Sequence, residues 1–204
     1  MIDDLSTEDA LAVICAARRG RRVYVVGLGR TAGVLEQRAD APVLALDAMG
    51  CVTSVATGLA VGLAGTGVEV IACDTDGSIL MELGALAGLA TCARSIDRLD
   101  LYVFDNGIYE SGGGCPSRFF ELDWESLGRA FGLQIIVITS ATMLDQRISA
   151  GDWRGVRCTV VRVNNQSPVP SPVIAADGRE KVVNFIGRVS SITGRPRWPR
   201  AAKL

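Results

Sequence analysis

The sequence predicts an α/β fold in which a mostly parallel central sheet lies between two layers of helices, a three-layer sandwich. Hydrophobic residues make up 49% of the 204 residues, whereas aromatic residues make up only 5%. This profile, rich in Ala, Val, Leu and Gly, is typical of proteins whose parallel strands are buried on both faces. Short apolar runs also alternate with segments of helical periodicity, which is the order that repeated strand–helix–strand units produce.

Each element is indicated by its own local pattern. Strands are predicted from apolar, β-branched runs at residues 23–26, 43–46, 68–73, 99–104, 133–138 and 156–163. Helices are predicted from apolar periodicity and end signals at residues 6–19, 51–64, 79–93, 123–130, 142–150 and 178–192. The proline-rich residues 164–172 predict an extended crossing, and residues 193–204 predict a loosely ordered tail. We expect one domain over residues 1–204, with its core at about 20–190.

Charge and composition argue against several classes of partner. The formal net charge is -1 at pH 7, so no basic field attracts nucleic acid. The chain starts with an acidic segment, and no apolar run approaches the length of a membrane span. The six cysteines lack any C-x-x-C pair and are expected to be reduced and mostly buried, with neither a disulfide framework nor a zinc site. We therefore expect a cytoplasmic protein without membrane or nucleic-acid partners.

The chain contains no histidine. Its absence excludes Ser–His and Cys–His nucleophilic catalysis within this chain, and it excludes metal sites built on histidine. Any chemistry must therefore be supplied by a cofactor or by groups from another chain.

Polar residues follow two of the predicted strands at their carboxyl ends. The strand at residues 68–73 continues into D-T-D-G-S at residues 74–78, and the strand at residues 99–104 continues into D-N-G at residues 105–107. If the two strands are parallel, the side chains of Asp76 and Asn106 point into one crevice. A carboxylate and an amide oxygen are hard ligands suited to Mg²⁺, whose coordination is usually completed by water and phosphates.

The residues around this pair suit a phosphate ligand. Gly77 allows a close approach of the backbone, and the amides that open the following helix at Ser78 can receive a phosphate. The pattern therefore implies a metal-bridged diphosphate, although two purely structural turns would leave the same residues in the sequence.

A second glycine-rich loop follows the first predicted strand, with G-L-G-R-T-A-G at residues 27–33. The glycines are spaced G-x-G-x-x-x-G instead of the G-x-G-x-x-G of a dinucleotide fingerprint, and no acidic residue is clearly placed about twenty positions further on. A nicotinamide-binding module stays an alternative. The main-chain amides of this loop and the hydroxyl of Thr31 are also suitable phosphate donors.

The two strand ends resemble the cofactor-binding motif of thiamine diphosphate (ThDP) enzymes, in which Gly-Asp-Gly is followed some thirty residues later by Asn. Thr75 here replaces the first glycine of that motif. Residues 109–114, Y-E-S-G-G-G, resemble a loop of phosphonopyruvate and sulfopyruvate decarboxylases, with Gly112 in place of Thr. D-A-M-G at residues 47–50 resembles the Gly-Ser-Met-Gly segment under the cofactor's pyrimidine, with Asp47 in place of a small residue.

The resemblance implies a ThDP-binding fold, ThDP and Mg²⁺ as cofactors, and a role for each matching residue. Met49 would hold the cofactor in its bent conformation, although a core methionine and an ordinary loop at residues 108–116 are the structural alternatives. The implied metal ligands are Asp76, Asn106 and the main-chain carbonyl of Ile108. The implied cofactor contacts are Gly29, Arg30, Thr31, Asp47, Ala48, Met49, Thr75, Asp76, Gly77, Ser78, Asn106, Ile108 and Tyr109.

The resemblance covers the diphosphate-binding domain of such enzymes and little else. No stretch of this sequence is long enough for the pyrimidine-binding domain, which carries the catalytic glutamate in the family. The resemblance therefore implies a partner subunit in an α2β2 or larger hetero-oligomer, acting on a small 2-oxo acid. The implied function is a decarboxylase of the phosphonopyruvate or sulfopyruvate type. A ThDP-dependent carboligase and a non-catalytic scaffold subunit are the alternatives.

Overall fold

The computed structural model describes residues 5–17, 20–118, 120–164 and 178–196. The strands are β1 (Arg22–Val26), β2 (Val43–Ala45), β3 (Glu69–Thr75), β4 (Arg98–Asp105), β5 (Ile108–Tyr109), β6 (Cys115–Pro116), β7 (Ile135–Ile138) and β8 (Gly155–Arg162). The helices are α1 (Thr7–Ala17), α2 (Arg30–Arg38), α3 (Val52–Gly62), α4 (Asp76–Met81), α5 (Gly84–Cys92), α6 (Trp124–Ala130), α7 (Ala141–Ser149) and α8 (Gly178–Thr193).

The predicted α/β fold is confirmed. Six strands form one sheet in the order β2-β1-β3-β4-β8-β7, and every neighbouring pair in it is parallel. The short strands β5 and β6 form a separate antiparallel pair in the loop that follows β4. The chain passes from β1 outward to β2 and then returns to the other side of β1 to form β3. The sheet therefore has a topological switch point between β1 and β3.

Two hydrophobic clusters, one on each face of the sheet, make up the core. Alternate residues of a strand point to opposite faces, so Val23 and Val25 of β1 enter one cluster while Tyr24 and Val26 enter the other. Helices α3, α5, α6 and α8 contribute buried residues to the first cluster, and α1, α2 and α7 contribute to the second. The result is the three-layer arrangement expected from strands that are apolar on both faces.

The six strands of the main sheet and most helices match their predicted positions closely, and the helices differ from prediction in two places. Helix α2 occupies residues that the sequence suggested only as a glycine-rich loop, because Gly29, at a φ of 90°, ends the loop and serves as the N-cap residue of the helix. The single helix predicted at residues 79–93 is divided into α4 and α5, since the backbone leaves helical geometry at Glu82.

The described part of the predicted tail is bonded to the body of the domain. Thr193 belongs to α8, and Arg195 donates a hydrogen bond from Nη2 to the carbonyl oxygen of Ala64 at 3.0 Å. Residues 197–204, and residues 165–172 of the predicted crossing, lie outside the described residues. None of the helices in the described part of the chain combines the length and apolar character that a membrane span requires.

Candidate functional site

The loops that carry the predicted site residues lie at one edge of the sheet. The carboxyl ends of β1 to β4 all open onto this edge because the four strands are parallel. Thr75 is paired in register with Phe104, so Asp76 and Asp105 follow at the same level on neighbouring strands. Ligands of open α/β sheets bind at this edge, outside the carboxyl ends of the strands, and the switch point between β1 and β3 opens onto it. The predicted convergence of the β3 and β4 ends is therefore present.

Asp76 is fully buried at the start of α4, and its two carboxylate oxygens have different surroundings. Oδ2 accepts hydrogen bonds from Ser117 Oγ at 2.5 Å and from Arg118 Nη1 at 2.8 Å. Oδ1 is buried and has no hydrogen-bond partner among the described residues. Because buried polar atoms are almost always paired, this carboxylate oxygen can accept a water molecule or a cation.

Asp105, at the end of β4, is fully paired. Its Oδ1 accepts from Arg118 Nη2 at 2.6 Å, and its Oδ2 accepts from Trp124 Nε1 at 2.8 Å. Arg118 thus joins the ends of β3 and β4 through one guanidinium group, with both carboxylates buried. Such forked, charge-assisted hydrogen bonds fix geometry as well as adding stability.

Burial raises the pKa of the Asp76 carboxyl above its usual value, and the neighbouring charge of Asp105 acts in the same direction. The hydrogen bond from Ser117 and the charge of Arg118 lower the pKa and oppose this effect. A cation bound beside this buried carboxylate, in addition to Arg118, would stabilise its charged form.

Three predicted phosphate contacts beside Asp76 are engaged within the fold. The Thr75 side chain caps α4 by accepting from the Ser78 amide at 3.4 Å, which explains how a threonine is accommodated where glycine was expected. The Ser78 hydroxyl accepts from the Gly50 amide at 2.9 Å, so the loops after β2 and β3 are joined. A Cβ on Gly77 would lie 2.6 Å from the Tyr109 ring, so glycine at this position makes room for the tyrosine.

Asn106 is held in the turn after β4. Its Oδ1 accepts from the Ile108 amide at 3.0 Å, and its Nδ2 donates to Glu110 Oε1 at 3.0 Å. Glu110 also forms an ion pair with Arg30, whose guanidinium pairs in addition with Glu8 at 2.8 Å. The loops after β1 and β4 are therefore connected through Arg30, Glu110 and Asn106.

The other predicted residues of the β1 loop contribute to its backbone geometry. Gly29 has a φ of 90°, a conformation that residues with a side chain rarely adopt. The Thr31 hydroxyl is buried and donates to the Gly27 carbonyl oxygen at 3.5 Å. The hydroxyl of Thr31 is thus used inside the turn, and the main-chain amides are the remaining phosphate donors of this loop.

The segment after β2 is exposed at the same edge of the sheet. Asp47 and Ala48 are exposed, and the Met49 side chain is 36% exposed. The alternative that Met49 is a core methionine is therefore wrong. Gly50 is buried with a φ of 81°, and a Cβ there would meet Glu82 at 3.2 Å. The fold presents Met49 at the surface next to the loop that carries Asp76.

A cavity of about 310 Å³ lies beside the ends of β4 and β8. Its lining residues are Asp105, Asn106, Gly107, Arg118, Arg162, Val163 and Asn164. Arg118 borders this cavity while also contacting Asp76, which itself does not line it. Two arginine side chains, Arg118 and Arg162, therefore border the opening that leads to the strand ends on this side.

The residues at this edge fit a divalent cation with oxygen ligands. The unpaired Oδ1 of Asp76 is a hard donor, and the amide oxygen of Asn106 lies on the adjacent strand end. Within the described ranges, no group of three or more His, Cys, Asp or Glu side chains is arranged to hold a metal ion. A cation here would therefore depend on Asp76 together with amide, main-chain and ligand oxygens, as Mg²⁺ commonly does.

Sequence reasoning missed the residues that organise this edge. Arg118, Ser117 and Trp124 contact the two carboxylates, and none of them belongs to a recognised motif. The one available signal was a buried carboxylate at each of two adjacent strand ends, which together require a positive partner. The prediction that the cysteines are mostly buried is also corrected. Cys73 and Cys158 are buried, Cys15 and Cys92 are partly buried, and Cys51 and Cys115 are exposed.

Comparison with solved structures supports the fold. A protein described as a thiamin diphosphate-dependent enzyme from Mycobacterium smegmatis matches with a TM-score of 0.65 and 21% identity, over 80% of this chain and 32% of that one. The benzoylformate decarboxylase of Polynucleobacter necessarius matches with a TM-score of 0.70 and 18% identity, over 82% and 35%. The thiamine diphosphate-dependent 4-hydroxybenzoylformate decarboxylase of Rhodococcus jostii RHA1 matches with 0.65 and 19%, over 80% and 34%.

These similarities define the class of fold. The chain has the fold of a domain found in thiamine diphosphate-dependent enzymes, and it spans about a third of the length of the structures it matches. No protein-family model matches the sequence, and no curated protein matches it.

Proposed function

We propose that this chain binds the diphosphate of ThDP together with Mg²⁺, and that it forms the diphosphate-binding subunit of a two-subunit 2-oxo acid decarboxylase. The observation that carries the proposal is the buried Asp76 carboxylate, whose Oδ1 is unpaired at a strand end beside Asn106. The similarity of fold to ThDP-dependent decarboxylases supports the same assignment.

In this proposal, Asp76 and Asn106 provide side-chain oxygens to Mg²⁺, and the Ile108 carbonyl provides a main-chain oxygen. The backbone of the β1 loop at Gly29 faces the diphosphate, while Arg30 ties that loop to the β4 loop through Glu110. Met49, exposed at the same edge, supports the cofactor's bent conformation. When bound, ThDP supplies the nucleophile and the electron sink for the loss of CO₂ from a 2-oxo acid.

A partner chain completes the proposed site. This chain has no histidine and spans about a third of the length of the structures it resembles. The proposal therefore assigns to the partner the pyrimidine-binding domain, the catalytic glutamate and any acid–base histidine. We propose a small 2-oxo acid of the phosphonopyruvate or sulfopyruvate type as substrate, with an α2β2 or larger assembly.

The proposal is tested by measuring ThDP binding to the full chain by calorimetry, with Mg²⁺ and with EDTA. We expect binding that requires the metal and that is lost in Asp76→Ala while the circular dichroism spectrum is retained. No binding at millimolar ThDP, alone or with the partner, would favour a scaffold subunit. An increase in melting temperature with NAD and none with ThDP would instead favour a nicotinamide-binding module.

The division between subunits has its own test. The purified chain alone should release no CO₂ from 2-oxo acids, because the glutamate is assigned to the partner. Rapid release of CO₂ by the chain alone would contradict the two-subunit model without contradicting cofactor binding.

A further inference from the structure

Arg118 forms the centre of the polar network at the edge of the sheet. Its Nη1 contacts Asp76 Oδ2 at 2.8 Å, and its Nη2 contacts Asp105 Oδ1 at 2.6 Å. The arginine side chain is 13% exposed, so the guanidinium is held mostly out of water. A planar guanidinium can bridge two carboxylates in fixed directions, which a lysine ammonium cannot do in the same way.

The bridge leaves the two carboxylates in different states. Both oxygens of Asp105 are occupied, one by Arg118 and the other by Trp124. The two side chains that hold Asp76, Arg118 and Ser117 with its Oγ at 2.5 Å, both contact Oδ2. Its Oδ1 is the remaining carboxylate oxygen of the pair, and it is buried without a partner among the described residues.

We propose that Arg118 is the positioning residue of the cation site, because it fixes Asp76 through Oδ2 and so reserves Oδ1 for a divalent cation. The inference rests on the proposed function and adds a role that the sequence motif does not contain. Partners that hydrogen-bond a ligating carboxylate orient it, and their loss commonly weakens metal binding by about 10- to 100-fold.

The opposite role for Arg118 would be that of a competitor. A guanidinium lying in the position of the cation would have to leave before the metal binds, and its removal would then strengthen metal binding. The geometry favours positioning for two reasons. Arg118 contacts Oδ2 of Asp76, whereas the unpaired oxygen is Oδ1, and Asp105 anchors the arginine independently. The two roles predict opposite signs for the same measurement.

The test uses Mn²⁺ as the probe and follows its electron paramagnetic resonance signal, in the presence of ThDP, with the full chain. Arg118→Gln should raise the dissociation constant of Mn²⁺ by about 10- to 100-fold. Arg118→Lys, which keeps the charge but cannot bridge both carboxylates, should fall between this variant and the wild type.

Arg162→Gln is the matched control, because Arg162 borders the same cavity while its ion pair is with Glu121. Removing a nearby positive charge without touching Asp76 should leave Mn²⁺ affinity unchanged or slightly higher. If Arg162→Gln weakened binding as much as Arg118→Gln, positioning through Asp76 would be wrong.

The remaining outcomes separate the inference from the proposed function. If the wild type binds no Mn²⁺ with ThDP, either alone or with the partner, the proposed function fails and the inference fails with it. If the wild type binds and Arg118→Gln binds equally well or more tightly, the inference alone is overturned. Should Arg118→Gln not fold, Ser117→Ala removes the other donor to the same oxygen. It should weaken Mn²⁺ binding about tenfold, and unchanged binding would overturn the inference.

Discussion

Asp76 and Asp105 occupy matching positions at the ends of neighbouring parallel strands, yet their surroundings differ. Both are buried, and both contact the guanidinium of Arg118. Asp105 is satisfied on both oxygens, whereas Asp76 keeps one oxygen unpaired. A buried carboxylate with all its hydrogen bonds made contributes to the fold, and one left incomplete is available to a ligand. The structural role therefore belongs to Asp105, and the binding role that we propose belongs to Asp76.

The largest expected effect that separates the two carboxylates is on cofactor binding. Asp76→Asn keeps the size of the side chain and one acceptor oxygen but removes the charge that a divalent cation needs. We expect the Mg²⁺-dependent affinity for ThDP to fall by about a hundredfold or more, with a smaller loss of stability than Asp105→Ala causes, because the amide oxygen can still accept from Arg118. Calorimetric titration gives the affinity, and equal ThDP affinity in wild type and variant would contradict the assignment.

The second expected effect is on stability, and it should be larger for Asp105. Asp105→Ala removes one anchor of the buried arginine and leaves the indole N–H of Trp124 unpaired. Breaking a buried ion pair in this way costs about 3–5 kcal/mol. Urea denaturation measures the loss of unfolding free energy. A smaller loss than that of Asp76→Asn would reverse the comparison between the two carboxylates.

The third effect concerns how closely the loop after β4 packs on the β3 end. Gly77→Ala would bring a Cβ within 2.6 Å of the Tyr109 ring. Overpacking of this kind costs about 1–3 kcal/mol. In a double-mutant cycle, Tyr109→Ala should recover most of that loss, because the clash is with this ring. Additive losses in the double variant would show that the two residues do not pack together.

The smallest expected effect is on cysteine reactivity, which should differ between the exposed edge and the interior. Its measurement requires no substitution. Burial raises the pKa of the Cys158 thiol to about 12, so this cysteine stays protonated at pH 8.5. Cys51 and Cys115 are exposed at the edge that carries Asp76. Alkylation at pH 8.5 followed by mass spectrometry should modify Cys51 and Cys115 in the native protein, and Cys73 and Cys158 only after unfolding. Rapid labelling of Cys158 in the native state would contradict the packing of β8.

Much of the fold could be predicted because its local signals agree with one another. Buried parallel strands are continuous apolar runs in the sequence. The start of α6 is also marked locally, because the Asp123 side chain caps the helix by accepting from the Ser126 amide at 2.9 Å. Helix α2 was missed because its first residues belong to the glycine-rich segment at residues 27–33, which the sequence suggested as a loop. The break between α4 and α5 was missed because the helical spacing of apolar residues continues on both sides of Glu82.

The candidate site was predictable only in part. The positions of Asp76 and Asn106 followed from strand ends in a parallel sheet, which is a matter of topology. The bridge from Arg118 lies in a loop and joins residues 42 and 13 positions away in sequence, so no periodic pattern could indicate it. The capping role of Thr75 was likewise unexpected, because its position suggested only a substituted glycine.

The most direct test of this account is a crystal structure of the chain with Mn²⁺ and ThDP, with the metal located by anomalous scattering. The account predicts a metal peak bonded to Asp76 Oδ1, with Asn106 among its ligands and Arg118 still in contact with Asp76 Oδ2. A metal peak away from Asp76, or one that replaces Arg118 between Asp76 and Asp105, would contradict it.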